Sequence, residues 1–247
     1  MTAAASPSPR KVRLWIGVGL LVAVLLGGAL VTQRAPGLVA PPLLAETPVR
    51  LPDGTTIRVQ RYEVTVAEWN RCHAAGACAL ALRAPRGADP SQTPATGLSQ
   101  PDVQAYIVWL NAATGADYRL PTLAEWEHMA APVMPETPDP IFTDPALSWA
   151  SAYLIENTTP RALRPQGSFS VTPECIADLD GSVWEWTADC YAGAAGPVDP
   201  ARCPAFWMGG EHVAAMSYLV RDPARGGCAV GTPPAHLGLR LVLDEAA

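Results

Sequence analysis

Asp178 and Glu185 stand in one short run, Asp178-Leu-Asp-Gly-Ser-Val-Trp-Glu-Trp186. Two carboxylates at that spacing, with the backbone carbonyls of the turn between them, offer several oxygens to a hard cation such as calcium. Side chains alternate along an extended chain, so Trp184 and Trp186 point to one side and Glu185 to the other. The tryptophans then pack a core while Glu185 reaches a loop-bound ion. The competing arrangement has Asp178 capping the turn and Glu185 pairing with an arginine.

A second group lies downstream: Glu211, His212, Met216, Ser217, Tyr218 and Arg221. His and Met are ligands for copper, and His with a carboxylate is a ligand pair for iron. One His beside one Glu makes no established ligand pattern, and His73, His128 and His236 are scattered. The 6 cysteines are a third candidate chemistry. Cys72 and Cys78 enclose a small loop that a bridge closes, and Cys190 and Cys203 bracket a loop rich in Gly and Pro. Cys175 and Cys228 remain, and several pairings are open. Spacing typical of a zinc site is missing.

These residues need elements to hold them. Val49 to Val64 alternates about Asp53-Gly54 and predicts a hairpin. Thr65 and Glu68 form a capping box at the start of a helix. A second helix is predicted from about Gln100 to Ala113, with Val103, Tyr106, Ile107 and Leu110 on one face and Gly115 ending it. Thr122 and Glu125 cap a third, which turns Trp126, Met129 and Ala130 inward. Few helices among short strands and long loops predict an α+β domain. The 26 prolines and 20 glycines also favour loops over a helical bundle or a regular doubly wound sheet.

With 49% hydrophobic residues among 247, the chain has a substantial core rather than disorder. A net charge of −6 with no basic patch excludes nucleic acid as a partner. Leu14 to Val31 carries no charge and follows Arg10, Lys11 and Arg13. At about 1.5 Å per residue this run nearly spans a hydrocarbon core of roughly 30 Å. It predicts one N-terminal transmembrane helix, a signal anchor in the inner membrane. Residues 1–13 form the cytoplasmic tail, and the rest is exported to the periplasmic side. The competing reading is a cleaved signal peptide, whose apolar stretch is normally about 7–15 residues. Residues 32–48 read as a Pro-rich linker and 49–243 as the domain. Export favours disulfides.

Four motifs occur in order: Arg119-Leu-Pro-Thr-Leu-Ala-Glu-Trp-Glu127, the run ending at Trp186, Trp207-Met-Gly-Gly210 and Gly238-Leu-Arg-Leu-Val242. With Tyr62-Glu-Val-Thr65, they resemble the formylglycine-generating enzyme family, or sulfatase-modifying-factor domain. Its signatures read RLPTEAEWE, GNVWEW, RGGSW and GFRLV. The resemblance implies a C-type-lectin-like fold with little regular secondary structure. It also implies a calcium site formed by Asp178, Glu185 and the carbonyls of Gly181 and Val183. Some bacterial members carry cysteines near positions 190 and 203, which leaves Cys175 for Cys228.

Catalysis is where the resemblance fails. The family converts a sulfatase cysteine to formylglycine with copper(I) held by two cysteines after GGSW, both soft partners. Here the aligned positions are Ala214 and Leu219, and Ser-Trp becomes Glu211-His212. Copper is therefore not expected. Two functions follow. One is a calcium-stabilised binding or assembly module for an exported protein or a small molecule. The other is an oxygen-dependent oxidoreductase with a modified metal site. The candidate pocket for either is Glu211, His212, Ser217, Tyr218 and Arg221.

Overall fold

A computed structural model describes residues 39–134, 144, 147, 162–193, 199, 202–212, 214–225, 227–230 and 233–245. The expected membrane segment, residues 14–31, lies outside them. No described helix is long and apolar enough to cross a membrane.

The hairpin forms as its alternation predicts. Strands β1 (Val49–Arg50) and β2 (Thr56–Val59) pair antiparallel, with Val49 opposite Ile57. The C-terminal strand β8 (Val242–Asp244) joins the other edge of β2, giving a small sheet of order β1-β2-β8. The chain thus closes on itself, N-terminal hairpin against C-terminal strand. Two residues of the expected 32–48 linker pack against the hairpin. Leu44 bridges to Gln60, Ala45 donates to the Val59 carbonyl at 2.8 Å, and Ala45 is buried with the core. Hydrogen bonding to β2, invisible in the Pro-rich composition, draws these residues into the domain.

Among the described residues three α-helices follow. Helix α1 (Val66–Ala74) and helix α3 (Leu123–Ala130) begin with complete capping boxes, Thr65 with Glu68 and Thr122 with Glu125. Helix α2 (Gln100–Thr114) ends at Gly115 in the left-handed conformation. Val103, Tyr106, Ile107 and Leu110 are buried on one face of α2, and Trp126, Met129 and Ala130 on α3.

The second sheet has order β6-β5-β4-β3-β7. Its strands are β3 (Val183–Tyr191), β4 (Ala205–Gly209), β5 (Ala214–Ser217), β6 (Cys228–Val230) and β7 (His236–Gly238). β3 lies inside, antiparallel to β4 and parallel to β7. Val183 through Thr187 are therefore buried on both faces, not on one. Gly209, the last residue of β4, and Gly210 after it permit this packing. A Cβ on Gly209 would sit 2.3 Å from the Trp126 ring, and one on Gly210 2.2 Å from that of Trp184.

Two disulfides form as expected, Cys72–Cys78 and Cys190–Cys203. The third does not. Cys175 and Cys228 are unbridged. Cys175 sits in the tight Val171–Ala177 turn beside the small sheet, and Cys228 on the outer strand of the large one. Pairing by elimination had no geometric basis, since sequence carries no distance between those two places.

Candidate functional site

Glu185 is fully buried on β3, and its partner is Arg240, fully buried in the Gly238–Val242 segment. Arg240 donates to Glu185 Oε1 at 2.8 Å from Nη2 and 3.0 Å from Nε, and to Oε2 at 3.1 Å. The indole N–H of Trp126 donates to the same Oε2 at 2.8 Å. The other guanidinium hydrogens bind the carbonyls of Gln60, Arg61 and Ala177. One side chain thus ties the end of β2, the Val171–Ala177 turn and β3 together. Of the two arrangements open to Glu185, the structure has the arginine pair. Its oxygens face cationic and N–H donors, so Glu185 does not fit as a calcium ligand.

Asp178 is 2% exposed and adopts φ 66°, a left-handed conformation tolerated by Asp. Its carboxylate accepts the N–H of Gly167 at 2.5 Å and of Phe169 at 2.8 Å. Carboxylate oxygens carry more than one lone pair, so these bonds leave coordinating capacity. Asp178 and Val183 line one small void with Ser182 and Glu63, whereas Gly181 packs on Phe169. Glu63 is 2% exposed. Burial pushes its carboxyl up to about 8, against the lowering field of Arg240. Glu63 lies in the Tyr62–Thr65 motif and Arg240 in the Gly238–Val242 motif, whose patterns give neither residue a role. The local pattern carries no signal for this, because a charge between aliphatic neighbours, as in Leu239-Arg-Leu241, ordinarily faces solvent on an extended segment.

The second candidate group divides along β5. Ala214, at one of the two aligned cysteine positions, is completely buried, while Leu219 at the other is 62% exposed. Near the start of β5, the His212 ring packs edge-on against Trp184, centroids 4.4 Å apart. Glu211 beside it is exposed. Beyond the other end, the Tyr218 carbonyl accepts the Gln100 N–H at 3.0 Å. Arg221 makes a two-point pair with Asp102, at 2.7 and 2.9 Å. Burial raises the Asp102 carboxyl, but Arg221 and the donors of Ser99 outweigh it, and the net effect lowers it. Ser217 is half-buried and hydrogen-bonds through its backbone to Gly227. Tyr218 opens onto a cleft of about 580 Å³, walled by Gln100, Arg202, Cys203 and Phe206. The five expected pocket residues therefore do not converge: Tyr218 and Arg221 meet α2, and His212 meets Trp184.

A family model described as "Sulfatase-modifying factor enzyme 1-like domain" matches residues 22–245. The chain belongs to this family. The formylglycine-generating enzyme of Mycobacterium tuberculosis (strain ATCC 25618 / H37Rv) is 28% identical over 195 residues, 64% of this chain. The chain spans 59% of that relative's length. Among solved structures, PvdO from Pseudomonas aeruginosa superimposes with a TM-score of 0.54 at 17% identity, covering 85% of this chain and 97% of that one. That likeness establishes the shared fold. Ala214 and Leu219, which the motif pattern sets opposite the family's two cysteines, carry a methyl and an isobutyl group.

Proposed function

We propose that this family member acts as a binding or assembly module on the exported side of a membrane, without the copper-thiolate oxidase mechanism. The observation that supports it is the chemistry at positions 214 and 219. A buried methyl group and an exposed isobutyl group neither ligate copper nor exchange a disulfide. The cleft beside Tyr218 has the size of a small-molecule or peptide site. The apolar Leu219 and the half-exposed Tyr218 ring present surface for a partner to cover. A basic N-terminal flank and the uncharged run after it would tether the domain. A calcium ion, where bound, would cross-link loops and perform no reaction.

The test incubates purified protein with a Cys-x-Pro-x-Arg peptide, copper and oxygen. No aldehyde above the enzyme-free background is expected. Product at a rate well above that background overturns the reading. A redox metal bound stoichiometrically by the purified protein would point instead to an oxygen-dependent oxidoreductase.

A further inference from the structure

Gln60 follows β2 in the chain, and its backbone is paired on both sides. Leu44 bridges to it on one side, and on the other its N–H donates to the Leu241 carbonyl at 2.8 Å. The residue is 2% exposed and lines a cleft of about 590 Å³. The Leu241 N–H donates to its Oε1 at 3.3 Å, which fixes the orientation of the amide. No described residue accepts from its Nε2. A buried donor normally has an acceptor, and here the contents of the cleft have to supply one. Gln166 is fixed in the same way. Its Nε2 donates to the Glu63 carbonyl at 3.0 Å and its N–H to the Gln92 carbonyl at 2.8 Å, which leaves Oε1 as an acceptor on the same cleft. Gln92 adds a third amide, and Glu68 and Arg71 a carboxylate and a guanidinium 3.8 Å apart. Tyr62 adds an aromatic ring, with the Arg61 guanidinium 5.5 Å from its centre.

We propose that this cleft binds a neutral, polyhydroxylated ligand, a carbohydrate, through the amides of Gln60, Gln92 and Gln166 and the ring of Tyr62. Charge supports it. The lining carries one acid and one base that face each other, so it offers no net charge to attract a phosphate or carboxylate ligand. Hydrogen bonding supports it too. A sugar hydroxyl both donates and accepts, as a side-chain amide does, so donors and acceptors fixed at several points of one cleft match a ring with hydroxyls on successive carbons. The C–H face of such a ring is apolar and covers an aromatic side chain. The cleft has the size of a small-molecule site. A peptide fits less well. Extended peptides take main-chain hydrogen bonds from an open strand edge, and both sides of Gln60 are occupied. The proposal rests on neither the N-terminal segment nor the cleft at Tyr218.

The experiment titrates the full chain, held in a polyoxyethylene detergent that carries no sugar, with maltotetraose, cellotetraose, mannotetraose and chitotetraose. Tetraglycine is the peptide arm. Binding is read by calorimetry and by saturation transfer to the ligand protons. At least one sugar should saturate the protein. Gln60→Met removes the amide, keeps the length of the side chain and should weaken that binding about five- to tenfold. Tyr62→Leu and Gln92→Ala should weaken it as well, and Tyr218→Ala, at the other cleft, should leave it unchanged. No saturation by any of the sugars below about 10 mM overturns the proposal. So does sugar binding that survives both Gln60→Met and Tyr62→Leu, or that Tyr218→Ala abolishes. Saturation by tetraglycine and by no sugar overturns it in favour of a peptide site. If Gln60→Met does not fold, Tyr62→Leu and the exposed Gln92→Ala decide. None of these outcomes bears on the aldehyde assay, so the two readings fail separately.

Discussion

Arg240 ties several segments of this domain together. It is wholly buried, and its bonds reach three separate backbone carbonyls and one carboxylate. A buried ion pair adds little over a well-packed apolar substitute, but breaking one half strands the other charge. Glu185→Gln should therefore cost about 3–5 kcal/mol. Read as a melting temperature, that is a fall of the order of ten degrees in a domain of this size. The loss belongs to the stranded Arg240 guanidinium. A shift under about two degrees by calorimetry would contradict this account of the pair. The carboxamide oxygen still accepts from Trp126, so that bond survives the substitution.

At the scale of elements, two contacts invite measurement. The first is the seat of α3 and β3 on the Gly209-Gly210 step at the end of β4. An alanine at 209 puts a methyl group into the Trp126 ring, and the ring itself is 2% exposed with nowhere to move. Overpacking of this kind costs about 1–3 kcal/mol, and the rigidity of both partners places Gly209→Ala at the upper end or beyond. Chemical denaturation checks it, and a variant as stable as wild type would show that the strand shifts freely. The second is the start of α2, where Asp102 receives the Ser99 N–H at 2.9 Å and the Arg221 guanidinium. Its pKa is depressed in the folded state. The stability it contributes is thus complete above the ordinary aspartate value of about 4 and is lost as pH falls through the folded value. Asp102→Asn should lower Tm at neutral pH and flatten the decline on the acid side. Parallel acid profiles for variant and wild type would refute the assignment.

For the whole molecule, the thiols offer the plainest check. Two bridges and two unbridged cysteines predict that the oxidised chain, denatured without reductant, yields two thiols to a colorimetric reagent, at Cys175 and Cys228. None would mean that those two pair after all. Reducing the bridges should lower stability, with about 2–3 kcal/mol a reasonable scale for closure of short loops. The small sheet joins β2 to β8, so its cooperativity spans the domain from hairpin to C-terminal strand. Shortening the chain before Val242 should unfold the domain rather than trim it.

Local features were legible in the chain itself. Thr65 with Glu68, Thr122 with Glu125, Gly115 after α2 and the bridge Cys72–Cys78 all act within a few residues, so their order in the chain specifies them. The motif order likewise carried the family, because each motif marks a packing position of the same fold. What Glu185 faces was decided only by tertiary structure. The alternation of Trp184, Glu185 and Trp186 was right, but both faces of β3 are covered, and Arg240 arrives from 55 positions away. The same holds for Cys175 and Cys228, and for a candidate pocket whose members divide between α2 and Trp184. Glu63 comes from the opposite end of the domain in sequence, yet lines the void beside Asp178. Contacts between distant segments depend on how the sheets and helices close on one core. That closure follows from the sum of burial over the whole chain and is not written in any single stretch of it.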